Sequence, residues 1–243
     1  MPTTAEYVRS FNRYELKYLV EHARARAFLD DLAGYCRPDP HSDAEHGYPV
    51  YSLYWDSPDL DCFWEKIDGQ KYRRKLRLRR YAGDGVFVEI KQRIDRTVQK
   101  RRMRMDVEEA ARVFTAGGVD PAAEYGIDDP VGQEALFLAH MLDLRPTMAV
   151  LYRRLAYFGN YDAELRITLD SRVQYDARAL DIRAPFETGK YALSPGTCVL
   201  EIKYNDCVPI WLTRLVARHE LEVVRYSKYC AAIDRERFGG KYS

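Results

Sequence analysis

Five short stretches of this chain repeat one alternation, with aliphatic or aromatic side chains at every second position and charged ones between them. In "KLRLRRY", Leu76 and Leu78 alternate with Lys75, Arg77 and Arg79, and in "VFVEIKQR", Val86, Val88 and Ile90 alternate with Phe87, Glu89 and Lys91. "AELRITLD" sets Leu165, Ile167 and Leu169 against Glu164, Arg166 and Thr168. "VLEIKY" sets Leu200 and Ile202 against Glu201 and Lys203, and "RYELKYLV" sets Tyr14, Leu16 and Tyr18 against Arg13, Glu15 and Lys17. A period of two marks β-strands whose successive side chains point to opposite faces. The chain must therefore build a sheet with one apolar face and one densely charged face.

Where the charged face points decides the fold. For any single strand, a wet outer face is the plain alternative. Solvated faces usually mix Thr, Ser, Gln, Lys and Glu, whereas these five hold Glu-x-Lys and Arg-x-Arg pairs. The expected architecture is α+β: an antiparallel β-barrel tunnel with a charged interior and helices packed outside on the aliphatic faces. Amphipathic stretches at 22–35, 107–115, 131–144, 210–219 and 227–238 supply the helices, and Asp129-Pro130 marks the start of one of them. Crowded cations inside such a barrel are destabilising unless countered, so the lining calls for an anionic ligand.

Charge bookkeeping supports segregation. Lys plus Arg is 38 against 37 Asp plus Glu, a net charge of +1, yet the stretch Lys71 to Arg104 holds fourteen basic residues and only Asp84, Glu89 and Asp95 as acids. A neutral molecule with one cationic groove concentrates small anions without a generally adhesive surface, and no nucleic-acid partner is expected. The five cysteines are odd in number and widely spaced, which argues against a disulfide framework or zinc site. No apolar run approaches the ~18 residues that span a bilayer. With only short loops at 37–49, 116–130 and 184–197, the reading is one cytoplasmic domain over residues 1–243 with no membrane segment of its own. Neither a phosphate-binding Gly-x-x-x-x-Gly-Lys loop nor a Gly-x-Ser-x-Gly elbow occurs, and the five histidines pair with nothing recognisable.

The ordered series "RYELKYLV", "YSLYWDSPDLDCFWEK", "KLRLRRY", "VFVEIKQR", "TVQKRR", "AVLYRRLAYF", "LRITLD", "VLEIKY" and "RYSKY", from about residue 13 to 234, resembles the polyphosphate polymerase (VTC) domain. That family belongs to the triphosphate tunnel metalloenzymes, relatives of the CYTH phosphohydrolases and cyclases. The resemblance implies transfer of the terminal phosphoryl group of a nucleoside triphosphate, ATP, to a growing polyphosphate chain, with Mn²⁺ or Mg²⁺ as cofactor. It implies catalytic roles for Lys17, Arg77, Arg79, Lys91, Arg154, Arg166 and Lys228, and substrate binding by Lys66, Lys100, Tyr152, Lys203, Arg225 and Ser227. Glu201 corresponds to the metal ligand, with Glu15 and Glu89 as helpers; each has an ion pair on the wall as its simpler explanation, and Ser227 has helix capping. Superfamily phosphohydrolases open with Glu-x-Glu-x-Lys, but here Arg13 replaces the first carboxylate, which favours the polymerase branch and disfavours a two-metal site. The membrane-spanning and phosphate-sensing segments of the eukaryotic proteins are absent, so coupling to transport would need a separate membrane-protein partner. A tripolyphosphatase or nucleoside triphosphatase, and a non-catalytic polyphosphate-binding module, are the alternatives.

Overall fold

A computed structural model describes residues 14–40, 47–81, 83, 85–95, 97–115, 117–120, 126–185 and 189–242. Arg13, His41 and His46 lie outside the described residues. In chain order the first half contains β1 (Tyr14–Glu21), α1 (His22–Leu32), β2 (Cys36–Pro38), β3 (Tyr48–Asp56), α2 (Asp61–Ile67), β4 (Tyr72–Arg80), β5 (Gly85–Ile94), β6 (Thr97–Asp106) and α3 (Val107–Val113). The second half contains β7 (Phe114–Thr115), β8 (Gly118–Val119), α4 (Pro130–Met141), β9 (Arg145–Gly159), β10 (Arg166–Asp176), β11 (Lys190–Tyr191), β12 (Thr197–Tyr204), α5 (Ile210–Arg218) and α6 (Lys228–Ile233). All five alternating stretches are strands of one antiparallel sheet, in the order β1-β12-β10-β9-β3-β4-β5-β6, with β2 added to β9 and β11 to β10.

The sheet curls hard. Glu15 on the first strand of that order and Lys91 on the seventh form an ion pair of 3.2 Å. In a flat sheet, six steps of about 4.8 Å would hold them roughly 29 Å apart, beyond the combined reach of the two side chains. The expected closed barrel is corrected in one respect: among the described residues β1 and β6 share no backbone pairing, so the sheet is a deep trough rather than a hydrogen-bonded cylinder. The segment before α6 runs along the free edge of β1, with Val224 N donating to Lys17 O at 2.8 Å and Tyr18 bridging Val223. It delivers α6 onto the concave face, where Lys75 of β4 reaches Cys230 Sγ at 3.6 Å.

Helices cover the aliphatic convex face in two patches. Phe28 and Leu32 of α1 and Leu212 and Leu215 of α5 pack on Tyr18, Ile167, Leu169, Leu200 and Ile202. Val113 of α3 and Leu136 and Ala139 of α4 pack with Leu76, Leu78, Val88, Ile90 and Met103. Each fully buried Leu, Ile or Phe contributes about 1.5–3 kcal/mol, and Phe28→Ala would cost about 3–5 kcal/mol once the cavity is included. The charged face is left to line the trough because the helices occupy its only competitor. Three helix starts are fixed by side-chain caps: Asp106 on Glu108 N and Glu109 N, Asp129 on Val131 N and Gly132 N, and Ser227 on Cys230 N. Gly47 enters β3 at φ +60, where a Cβ would overlap the Arg154 carbonyl, so glycine alone lets β3 lie this close to β9.

Candidate functional site

The trough lining follows from register. Cross-strand neighbours share a face, so the pairs Glu15–Lys203, Lys17–Glu201, Thr168–Glu201, Arg166–Lys203, Asp170–Arg154, Arg77–Glu89 and Lys91–Lys100 all project into the same concavity. Lys228, the first residue of α6, points down onto them. Four carboxylates organise the lining. Glu89 holds Arg77 at 2.6 Å and Lys100, with Arg79 at 3.9 Å. Glu201 holds Lys228 at 2.8 Å, Lys203 at 3.0 Å and Lys17 at 3.6 Å, with Arg154 at 3.9 Å. Asp170 accepts both arms of Arg154 at 2.6 and 2.7 Å and meets Lys228 at 2.5 Å. Glu15 bridges Lys17 at 3.1 Å and Lys91 at 3.2 Å.

Eight cations thus face four carboxylates in this network, and the wall keeps a local excess of positive charge. Tyrosines fill the gaps: Arg79 donates to Tyr152 Oη at 3.1 Å and to Ser52 Oγ at 3.2 Å, and Arg77 donates to Tyr54 Oη at 3.1 Å. Arg154 and Lys228 both lie over the Tyr152 ring, at 5.3 and 5.0 Å.

Ionisation follows the local balance. Burial opposes the charge of Glu201, but Lys203, Lys228, Lys17 and Arg154 outweigh it and hold the carboxyl well below its usual range. Glu89 is likewise held low against burial by Arg77, Lys100 and Arg79, and Glu15 by Lys91, Lys17 and Lys203. For Lys17, burial is overcome by Glu15 and Glu201, which raise the ammonium to about 12. Lys100 goes the other way: burial first, then the charges of Arg77 and Arg79, exceed the help of Glu89 and bring it down to about 7.

Of the residues singled out from sequence, Lys17, Arg77, Arg79, Lys91, Lys100, Tyr152, Arg154, Lys203, Lys228, Glu15, Glu89 and Glu201 meet in this network. Arg166 stands toward one end, paired with Asp39 at 3.3 Å. Lys66 lies toward the other: burial and the charges of Arg73, Lys75 and Lys17 lower its pKa, which places it within their field. Arg225 is exposed beside Arg73, and Ser227 spends its hydroxyl on the cap of α6. Arg80, on the opposite face of β4, donates to the carbonyls of Arg183 and Ala184.

Two further residues of "LRITLD" belong to the site. Asp170 is the fully buried clamp between Arg154 and Lys228, and the buried hydroxyl of Thr168 beside Glu201 has no hydrogen-bond partner among the described residues. The period of two already put both on the charged face, and that was the available signal. A third, Asp56 at the end of β3, is a hub: it accepts from Ser57 N, Cys62 N and Phe63 N and from the Tyr229 hydroxyl, tying α2 to α6.

For a divalent ion the donor set is hard carboxylate oxygen with cations around it. Among the described residues no three His, Cys, Asp or Glu side chains converge, so Glu201, Glu15 and Glu89 do not form one three-carboxylate centre. Such a set suits Mg²⁺ or Mn²⁺ held by one or two carboxylates and completed by phosphate oxygens, not an ion caged by protein alone. Glu201 shares Lys17 with Glu15, so these two are the carboxylates that could serve such an ion together.

Comparison with known proteins bears on this geometry. The family model described as the VTC domain matches residues 12–236. Subunit 4 of the vacuolar transporter chaperone complex of Schizosaccharomyces pombe is 25% identical over 269 residues, which cover 93% of this chain and 36% of that subunit. The chain therefore spans about a third of that relative's length. A solved structure from Hippeastrum, described as a candidate adenylyl cyclase with a dominant triphosphatase activity, matches with a TM-score of 0.54 at 12% identity, over 94% of this chain and 99% of that one. This is a likeness of fold, and the fold is that of the triphosphate tunnel proteins.

Proposed function

The chain belongs to the VTC domain family, and from that premise we propose that it is a polyphosphate polymerase transferring the terminal phosphoryl group of ATP to a growing polyphosphate chain. The observation that carries the reading is the trough itself: Arg79, Arg154 and Lys228 are buried together with a surplus of cations over carboxylates. Burying unmatched cations is destabilising, and a linear polyanion is the ligand that relieves it along the whole wall.

Phosphoryl transfer needs in-line positioning and neutralised phosphate oxygens more than it needs a side-chain nucleophile. Arg77, Arg79 and Arg154 bring fixed guanidinium charge to the phosphates, and Glu89, Tyr54, Ser52, Tyr152 and Asp170 hold the angle of those planes. Lys17, Lys100 and Lys228 add point charges beside them. The attacking group is the terminal oxygen of the acceptor chain; a new bond forms to the γ-phosphorus while its bond to the bridging oxygen breaks, and ADP departs with that electron pair. Glu201 would hold Mn²⁺ or Mg²⁺, which supplies further neutralisation of phosphate oxygens when bound. Arg166 and Lys66, toward opposite ends, would contact the two extremities of the bound phosphates.

The test is product analysis. Purified protein with ATP and Mn²⁺ should release ADP and build phosphate polymer visible on a gel. Release of orthophosphate without polymer would replace the reading with a triphosphatase, and polyphosphate binding without any turnover would replace it with a binding module. No helix among the described residues is long and apolar enough to cross a membrane. Cytoplasmic placement and a membrane-protein partner for export of the polymer complete the proposal.

A further inference from the structure

The two ends of the trough are chemically unlike. Along β4 the concave positions run Arg73, Lys75, Arg77, Arg79 and then Tyr81, about 26 Å at roughly 3.3 Å per residue. At the Arg73 end stand Lys66, Arg73, Lys75 and Arg225, none of them in a salt bridge among the described residues. At the Tyr81 end the rim is aromatic. Tyr48 and Tyr81 meet edge to face with centroids 5.8 Å apart, and Tyr81 meets Phe87 in the same way at 5.8 Å. Arg166 lies 5.1 Å over Phe158 and donates to Tyr48 Oη at 3.5 Å, and Arg102 lies 5.0 Å over Phe87. All four rings are half-buried, so each keeps part of its surface open to solvent.

Register ties these rings to the phosphate machinery. Phe87 is directly across from Arg79, Tyr48 from Arg154, and Phe158 from Arg166. These three rings thus sit one strand spacing, about 5 Å, from an arginine of the trough lining. A ligand that extends from those arginines toward this rim meets π-faces and two guanidinium planes, whereas at the other rim ammonium and guanidinium groups predominate. A flat heteroaromatic base suits the first rim and a bare phosphate chain the second.

We propose that the arc of Tyr48, Tyr81, Phe87 and Phe158, with Arg102 and Arg166, is a nucleobase platform, so that the nucleoside end of the triphosphate rests at this rim and the phosphate polymer leaves past Lys66, Arg73, Lys75 and Arg225. This rests on the reading of the trough as a nucleoside triphosphate site. Recognition by stacking makes purine triphosphates bind more tightly than pyrimidine ones, with little discrimination between ATP and GTP.

Calorimetric titration of the full chain with ATP and, separately, with inorganic tripolyphosphate tests it, since the two ligands share phosphates and differ in the base. Tyr81→Ala and Phe158→Ala should each weaken ATP binding about 5- to 100-fold. Tripolyphosphate affinity should stay within about two-fold in both variants, and Tyr81→Trp should restore ATP binding. Equal weakening of both ligands would mean that the rings merely hold the rim together, and no weakening of either would mean that the base rests elsewhere; both results overturn the assignment. The wild-type polymer assay answers the parent question separately. Base-selective binding without polymer would leave the platform standing and remove the polymerase.

Discussion

Asp170→Asn is the most informative single perturbation, because it removes one charge from the trough and almost no volume. Asp170 is fully buried, with Arg154 at 2.6 and 2.7 Å and Lys228 at 2.5 Å. Deleting one member of a buried ion pair costs about 3–5 kcal/mol, chiefly through the charge left behind. Asparagine keeps one acceptor oxygen, so a loss of about 3 kcal/mol is expected, or roughly 6–12 °C in Tm for a domain of this size. The burial and the neighbours act in opposition on the Asp170 carboxyl, and Arg154 and Lys228 prevail, lowering its pKa. A carboxylate lowered in the folded state stabilises above its unfolded value of about 3.9 and ceases to do so as pH falls through the folded value. The difference between variant and wild type should therefore be full at pH 7 and close only below about pH 3.9. The variant also leaves the trough one charge more positive, so saturating tripolyphosphate should raise its Tm by more than it raises that of the wild type. Scanning calorimetry at low salt, with and without tripolyphosphate, reads both effects. A fall in Tm smaller than about 2 °C, or a ligand-induced rise no larger than that of the wild type, would refute the view of Asp170 as the counter-charge holding Arg154 and Lys228.

Other outcomes are equally specific. Glu201→Gln should reduce ADP release about 10²- to 10³-fold while polyphosphate binding measured by titration is retained. Arg79→Lys keeps the charge but not the fork that meets Ser52 and Tyr152, and kcat/KM should fall about 10- to 100-fold in steady-state assays. Lys100 near pKa 7 is cationic below neutrality, so tripolyphosphate affinity should decline as pH rises through 7, and Lys100→Arg, cationic throughout, should lack that component in a parallel titration series. Tyr229→Phe removes one hydrogen bond to the buried Asp56 and should cost about 1–2 kcal/mol in denaturant unfolding, with Lys66 and Lys228 both loosened.

Much of this was legible in the alternation alone. Arg77 and Arg79, Glu89 and Lys91, and Glu201 and Lys203 land on the concave face because parity is local and survives any curvature of the sheet. β3 and β9 carry no such signal, since most of their positions are buried on both faces and their hydrophobicity is nearly continuous. α2 escaped notice because it is seven residues long and begins after Leu60 in a left-handed conformation, with its N-terminal amides satisfied by Asp56 rather than by a capping residue at its start. Asp170 was hidden by its company: an acid at the end of a strand motif reads as the start of a turn, and only the arrival of α6 from the far end of the chain gives it Lys228. Whether the end strands pair is likewise a matter of long-range geometry that no short window contains.

The unpaired edge of the trough has a bearing on self-association. β1 has its edge covered by Val223 and Val224, but β6 pairs only with β5 among the described residues. An exposed strand edge is an invitation to a second copy, and this one carries Lys100, Arg101, Arg102 and Arg104, a run of charge of the kind that discourages edge-to-edge pairing. The molecule thus draws two services from one run of basic residues: Lys100 and Arg102 face the ligand within, and the run as a whole discourages fibre-like stacking without. Replacing that run with neutral residues would put solubility at risk along with the ligand contacts.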